Sequence, residues 1–231
     1  MTDGPLTHLR VLELGTLIAG PFCGQLFGDM GADVIKIEPP GVGDPMRSWG
    51  RGLPVWWPVI ARNKRCITLN LRVAAGQDLL KRLLQESDVL IENFRPGTME
   101  KWGLDYEVLS AINPGLVMVR VSGFGQSGPY SSRAGYGSIG EAMGGIRYLA
   151  GDPDRPPSRV GLSIGDSLAA TFACVGALAA LHERDRTGQG QVVDSAIYEA
   201  VLAVMESTVP EYTEGGEIRE RSGAILPKTA P

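Results

Sequence analysis

The chain has 231 residues, 43% hydrophobic and 21% charged, which excludes wholesale disorder and supplies enough residues for one large domain or two small ones. A formal charge of −4 and a pI near 5.3 exclude a general basic surface, so nucleic acid is not an expected partner. Three widely spaced cysteines, Cys23, Cys66 and Cys174, fit neither a disulfide framework nor a zinc site, and a reducing cytoplasm is the expected location.

A polar leader precedes the apolar run LRVLEL at 9–14, then come Gly15 and the small-residue stretch AGPFCGQLFGDMGA. This spacing predicts a strand, a glycine turn and a closely packed helix. DVIKIE at 33–38 predicts a second strand, so the chain opens as a βαβ unit with parallel strands and a right-handed crossover. Residues 39–58, dense in proline, glycine and tryptophan, predict an irregular loop whose tryptophans pack on something. The unit then repeats, with a strand at 65–71, a helix at 74–86 and a buried strand at 88–92. Two short helices within 99–112 and a strand at 116–122 bring the parallel strands to at least four. From Gly123 the chain becomes the aperiodic loop GFGQSGPYSSRAGYGS. A helix at 140–150, a turn at 152–159 and a long helix of small apolar residues at 166–184 follow. Residues 191–198 read either as a strand or as the start of a helix running to about Glu211, and the remainder is rich in glycine and proline. No basic-then-apolar leader and no run of about 18 apolar residues is present, so neither a signal peptide of that kind nor a membrane span is expected.

Histidine-dependent hydrolytic chemistry would have to recruit His8 or His182, the two histidines of the sequence. Zinc-protease, paired-cysteine, EF-hand and P-loop motifs are absent from it, and no metal site is expected. The 31 glycines, nearly twice the usual share of about 7%, imply tight turns and close backbone approaches, including turns after strands that can cradle phosphates. Basic residues gather at Arg62, Lys64 and Arg65, then at Arg72, Arg95, Lys101 and Arg133, where strands meet loops. Asp166, in the run SIGDS before the long helix, is either an N-cap or a carboxylate presented for chemistry.

Taken together, VLELGTLIAGP, GADVIKIEPPGVGDPMR, NKRCITLNL, ENFRPGTMEKWGL, GFGQSGPYSSRAGY and GDSLAATFACVGALAALHERDRTGQGQVVDSAIYEAV resemble the family III CoA-transferases, the group containing formyl-CoA:oxalate and carnitine CoA-transferases. The resemblance implies an α/β, Rossmann-like open parallel sheet with helices on both faces, here over 1–200, and at 201–231 a linker toward a smaller domain mostly absent from this chain. It also implies a homodimer with interlocked subunits. CoA would be a substrate, with no permanently bound cofactor, and the partners would be an acyl-CoA and a carboxylic acid. The GDS match puts the family's nucleophile at Asp166, whose carboxylate would form a mixed anhydride and then an enzyme thioester with CoA. The CoA site would map to Leu17, Ile18, Ala19, Leu69, Arg72, Asn93 and Phe94, with Lys101 where many members carry arginine, and Arg133 near a further basic position. Ile18 stands where the formyl-CoA enzyme has glutamine. No histidine occurs at 135–137, where the family's racemases need one, so a transferase is favoured over a racemase; an inactive CoA-binding fragment is the further alternative. Arg47, Arg51, Tyr130 and Tyr136 lie on loops that could face an acid substrate.

Overall fold

The computed structural model describes residues 4–50 and 52–225. In chain order the elements are β1 (Arg10–Glu13), α1 (Ala19–Asp29), β2 (Asp33–Glu38), a 3₁₀ turn (Pro45–Ser48), α2 (Trp56–Ile60), β3 (Lys64–Thr68), α3 (Ala74–Leu84), β4 (Val89–Glu92), α4 (Thr98–Lys101), α5 (Tyr106–Ile112) and β5 (Val117–Ser122). They continue with α6 (Gly137–Met143), α7 (Ile146–Leu149), α8 (Ile164–Thr187), β6 (Val192–Ala196), α9 (Ile197–Leu202) and α10 (Thr208–Gly215). The strands form one parallel sheet in the order β3-β2-β1-β4-β5-β6. This is the doubly wound α/β arrangement, whose direction of winding reverses between β1 and β4.

The central strands read as unbroken apolar runs because helices cover both faces of the sheet. Val89, Leu90 and Ile91 of β4 and Val117, Met118 and Val119 of β5 are fully buried. One face packs against α1 and α8 through Phe27, Ala169, Ala173 and Ala177, and the other against α3, α4 and α5 through Leu80, Leu84, Met99 and Leu109. By length and hydropathy alone α8 could cross a bilayer, but its alanines at 169, 170, 173, 177 and 180 lie buried in this core.

The six strands meet the expectation of at least four, and β6 resolves the ambiguity at 191–198: this edge strand ends where α9 begins. The tryptophan-rich segment is more ordered than expected, holding the 3₁₀ turn and α2, and the helix expected at 140–150 is divided into α6 and α7. Arg47 links the tryptophans to the sheet, its guanidinium lying 3.8 Å from the Trp57 ring centre while its Nε donates to Glu38 Oε2 at 2.7 Å.

Candidate active site

Open α/β sheets bind ligands outside the carboxyl ends of their strands at the point where the winding reverses. Here that point joins the turns after β1 and β4 through the Asn93 side chain. Its Oδ1 accepts from the Thr16 N–H at 2.8 Å and its Nδ2 donates to the Thr16 carbonyl at 2.9 Å. Leu17 then takes a left-handed backbone with φ +63°, a conformation that costs a non-glycine residue about 1 kcal/mol or more. Its N–H donates to Asp44 Oδ1 at 3.1 Å, so the strained turn is held from two sides. Ile18 caps α1 and the buried Ala19 begins it.

Beside this turn lies a cavity of about 410 Å³. Leu69, Arg72 and Phe94 line it, together with Thr16, Val42 and Trp102. Phe94 is fixed from behind, because its N–H donates to Glu92 Oε2 at 2.7 Å while Glu92 Oε1 accepts from Arg120 Nε at 2.7 Å. Burial pushes the Glu92 carboxyl up to about 7, against the opposing charge of Arg120. The Arg72 and Lys101 side chains make no hydrogen bond or ion pair with any described residue; Arg72 lines the cavity, whereas Lys101, at the end of α4 and next to the lining Trp102, is not part of its wall.

The other expected cations are differently placed. Arg62 pairs with Asp29 and Arg65 with Asp33 near the amino end of β3, the edge away from the cavity, while the buried Lys64 ammonium reaches Glu13 at the end of β1 and the Pro21 carbonyl of α1. Their clustering in sequence is therefore structural. Arg47 is committed to Glu38. Arg133 stacks on Tyr130, 4.1 Å from its ring centre, in the loop after β5 and outside the cavity wall. Tyr136 is 72% exposed beside α6, and Arg51 lies outside the described residues.

Asp166 is not the N-cap of α8. Ser163 occupies that position and Asp166 is the third helical residue, with no hydrogen-bond donor among the described residues reaching its carboxylate. The carboxylate faces α6, where Gly137 approaches so closely that a Cβ there would collide with Oδ2 and lie 2.9 Å from Cγ. Burial, followed by the negative charge of Glu141, raises the Asp166 carboxyl from 3.8 to about 6, with Arg159 opposing the rise. The group is thus a half-buried, unpartnered carboxylate that is still mostly ionised at neutral pH, an arrangement suited to a nucleophile. Glu141 and Arg159 are neighbours the sequence did not single out, and Arg147 stands beside Glu141; the available signal was a lone charged residue in the otherwise uncharged α6. Gly137→Ala is expected to lower turnover by about 100-fold through displacement of the carboxylate, with a melting temperature near that of the parent, because alanine suits the first turn of a helix. Paired steady-state and thermal-unfolding measurements check this.

The model of CoA-transferase family III matches residues 6–231. The chain belongs to that family. It is 66% identical over 231 residues to succinyl-CoA–D-citramalate CoA-transferase of Chloroflexus aurantiacus, covering 98% of this chain and 58% of that relative. It is 39% identical over 240 residues to succinyl-CoA:mesaconate CoA-transferase of Haloarcula marismortui, covering 99% and 60%. The crystal structure of a CAIB/BAIF family protein from Brucella suis superposes with a TM-score of 0.94 at 40% identity, covering all of this chain and 63% of that one. The family chain described here therefore spans about three fifths of the length of these relatives.

Proposed function

We propose that this chain carries the CoA-binding surface and the nucleophile of an enzyme that moves CoA from an acyl-CoA thioester to a carboxylic acid. Succinyl-CoA is the proposed donor and a short dicarboxylic acid such as D-citramalate the proposed acceptor. The substrate choice draws on the relative that shares 66% identity. The observation that carries the reaction class is the Asp166 carboxylate, free of hydrogen-bond donors and pressed against Gly137 at the start of α8.

In this reading the CoA moiety uses the cavity beside Leu69 and Phe94, and Arg72 and Lys101 attract its phosphates. An Asp166 carboxylate oxygen attacks the thioester carbonyl, and the resulting oxyanion collapses with loss of CoA thiolate to leave a mixed aspartyl–acyl anhydride. The thiolate then attacks the aspartyl carbonyl, releasing the donor acid as its carboxylate and leaving CoA as a thioester on Asp166. The acceptor carboxylate attacks that thioester, expelling CoA thiolate and giving a second mixed anhydride. The thiolate takes the acceptor acyl group and frees the Asp166 carboxylate. No external oxidant or net proton is required, and the first N–H groups of α8, unpaired within the helix, favour negative charge nearby.

Incubation of the full-length protein with succinyl-CoA and no acceptor is expected to give a CoA adduct on the peptide bearing Asp166, read by mass spectrometry. Its rate of formation should follow the ionised fraction, falling below about pH 6. Turnover with the adduct located on any other residue would overturn the assignment.

A further inference from the structure

Glu141 of α6 is fully buried, yet neither of its carboxylate oxygens receives a hydrogen bond from any described residue. Two arginines stand near it without closing on it. Arg147 Nε lies 3.7 Å and Arg159 Nε 3.6 Å from Glu141 Oε2, within ion-pair range and beyond a good hydrogen bond. Neither guanidinium hydrogen-bonds to another described residue, and Arg147 Nε is itself buried and unpartnered. A guanidinium offers five N–H donors in a planar fork matched to a carboxylate, so two of them left without hydrogen bonds around a buried glutamate make an incomplete polar site.

The same group adjoins the reacting centre. A Cβ at Gly165, the residue before Asp166, would lie 3.3 Å from Glu141 Cγ and 3.2 Å from the Gly137 carbonyl oxygen. Arg159 comes from the segment between α7 and α8 and is about half exposed, whereas Arg147 is about one third exposed. Glu141 can therefore stay neutralised by Arg147 while the fork of Arg159 turns to an incoming anion. A monocarboxylic acyl tail offers that fork nothing. A dicarboxylic acyl tail carries the matching group a few bonds from its thioester carbon.

We propose that Arg159, backed by the Glu141–Arg147 pair, binds the second carboxylate of dicarboxylic substrates beside Asp166 and so selects them over monocarboxylic ones. The proposal rests on the assignment of Asp166 as the nucleophile. Arg159 is the specificity-determining contact, and Glu141 and Arg147 are positioning residues.

The test compares succinyl-CoA with butyryl-CoA, which lacks the second carboxylate, on the full-length protein. Two readouts are taken: kcat/KM with a fixed acceptor, and the rate of CoA adduct formation on Asp166. The parent protein is expected to prefer succinyl-CoA by about 100-fold or more, and Arg159→Gln to reduce that preference by at least 30-fold, chiefly through KM for succinyl-CoA. At pH 8, where Asp166 stays ionised, adduct formation from butyryl-CoA should fall far less than adduct formation from succinyl-CoA. A Glu141→Gln/Arg159→Gln double variant keeps the local charge balanced; it covers the case in which the single variant fails to fold and should show the same loss of preference. An adduct on Asp166 with a preference unmoved in both variants would overturn the selection proposal and leave the nucleophile standing. Turnover without an adduct from either donor would remove the nucleophile assignment and the proposal with it.

Discussion

Asp166→Asn is expected to lower CoA transfer by about 1000-fold or more while leaving the fold at least as stable as the parent at pH 8. The kinetic loss follows from removing the attacking oxygen, for which the amide is a poor substitute. The stability effect follows from the raised carboxyl. Its value is 3.8 ordinarily and about 6 in the folded chain, so between those values the folded state holds a proton that the unfolded state has released. Stability from this group is present in full below about pH 3.8 and is lost as pH rises through 6. Two pH units correspond to at most about 3 kcal/mol, lessened by solvent contact and by the helix terminus. In denaturant titrations of both proteins from pH 5 to pH 8 the advantage of the asparagine variant should therefore grow with pH and level off above about pH 7, and the two proteins should meet only below about pH 3.8. A variant less stable than the parent at pH 8 would show the carboxylate to be structural instead.

Lys36→Met is expected to be among the most destabilising single changes in the chain, by about 3–5 kcal/mol. The Lys36 side chain is 1% exposed, and its Nζ meets Glu13 Oε1 at 2.8 Å, the Gly15 carbonyl at 2.6 Å and Asp44 Oδ2 at 3.0 Å. Removing the ammonium leaves Asp44 buried without its cation and Glu13 with Lys64 alone. Loss of function should accompany loss of stability. The same Asp44 receives the Leu17 N–H and, with Asn93, shapes the turn proposed to meet CoA. Urea unfolding and CoA binding below the transition both report on this. A loss under 1 kcal/mol with unchanged CoA affinity would mean that the turn holds its shape without the network.

The βαβ opening, the parallel strands and the long helix were legible because each core strand is a short apolar run bounded by turn residues and α8 has a long apolar pattern, whereas the Rossmann-like arrangement came from the family resemblance. The edge strand β6 was ambiguous because only Ser195 and Ala196 of its five residues are buried, too few to separate alternation from the start of a helix. Asp166 could be picked out by its neighbours, but whether it capped or entered α8 depended on backbone angles at Ser163. The cation cluster at 62–65 misled because adjacency in sequence does not say which carboxylates the sheet register brings alongside: Asp33 from β2 and Glu13 from β1. The lone glutamate of α6 was the one local sign of the Glu141, Arg147 and Arg159 group, whose partners meet only when α6, α7 and the approach to α8 fold against one another.

The position of β1 in the middle of the sheet also sets an order of assembly. Thr16 must find Asn93, 77 residues further along the chain, before the two turns of the winding-reversal point face each other. β1, β2 and β3 can associate early during synthesis, but β4 has to be added on the far side of a strand made at the outset, a long loop closure of the kind that slows parallel-sheet folding. One flank of β1 remains an open edge until then. CoA, if it contacts both turns, binds only chains that have completed this pairing, and its presence during refolding would draw the population toward the finished sheet by mass action.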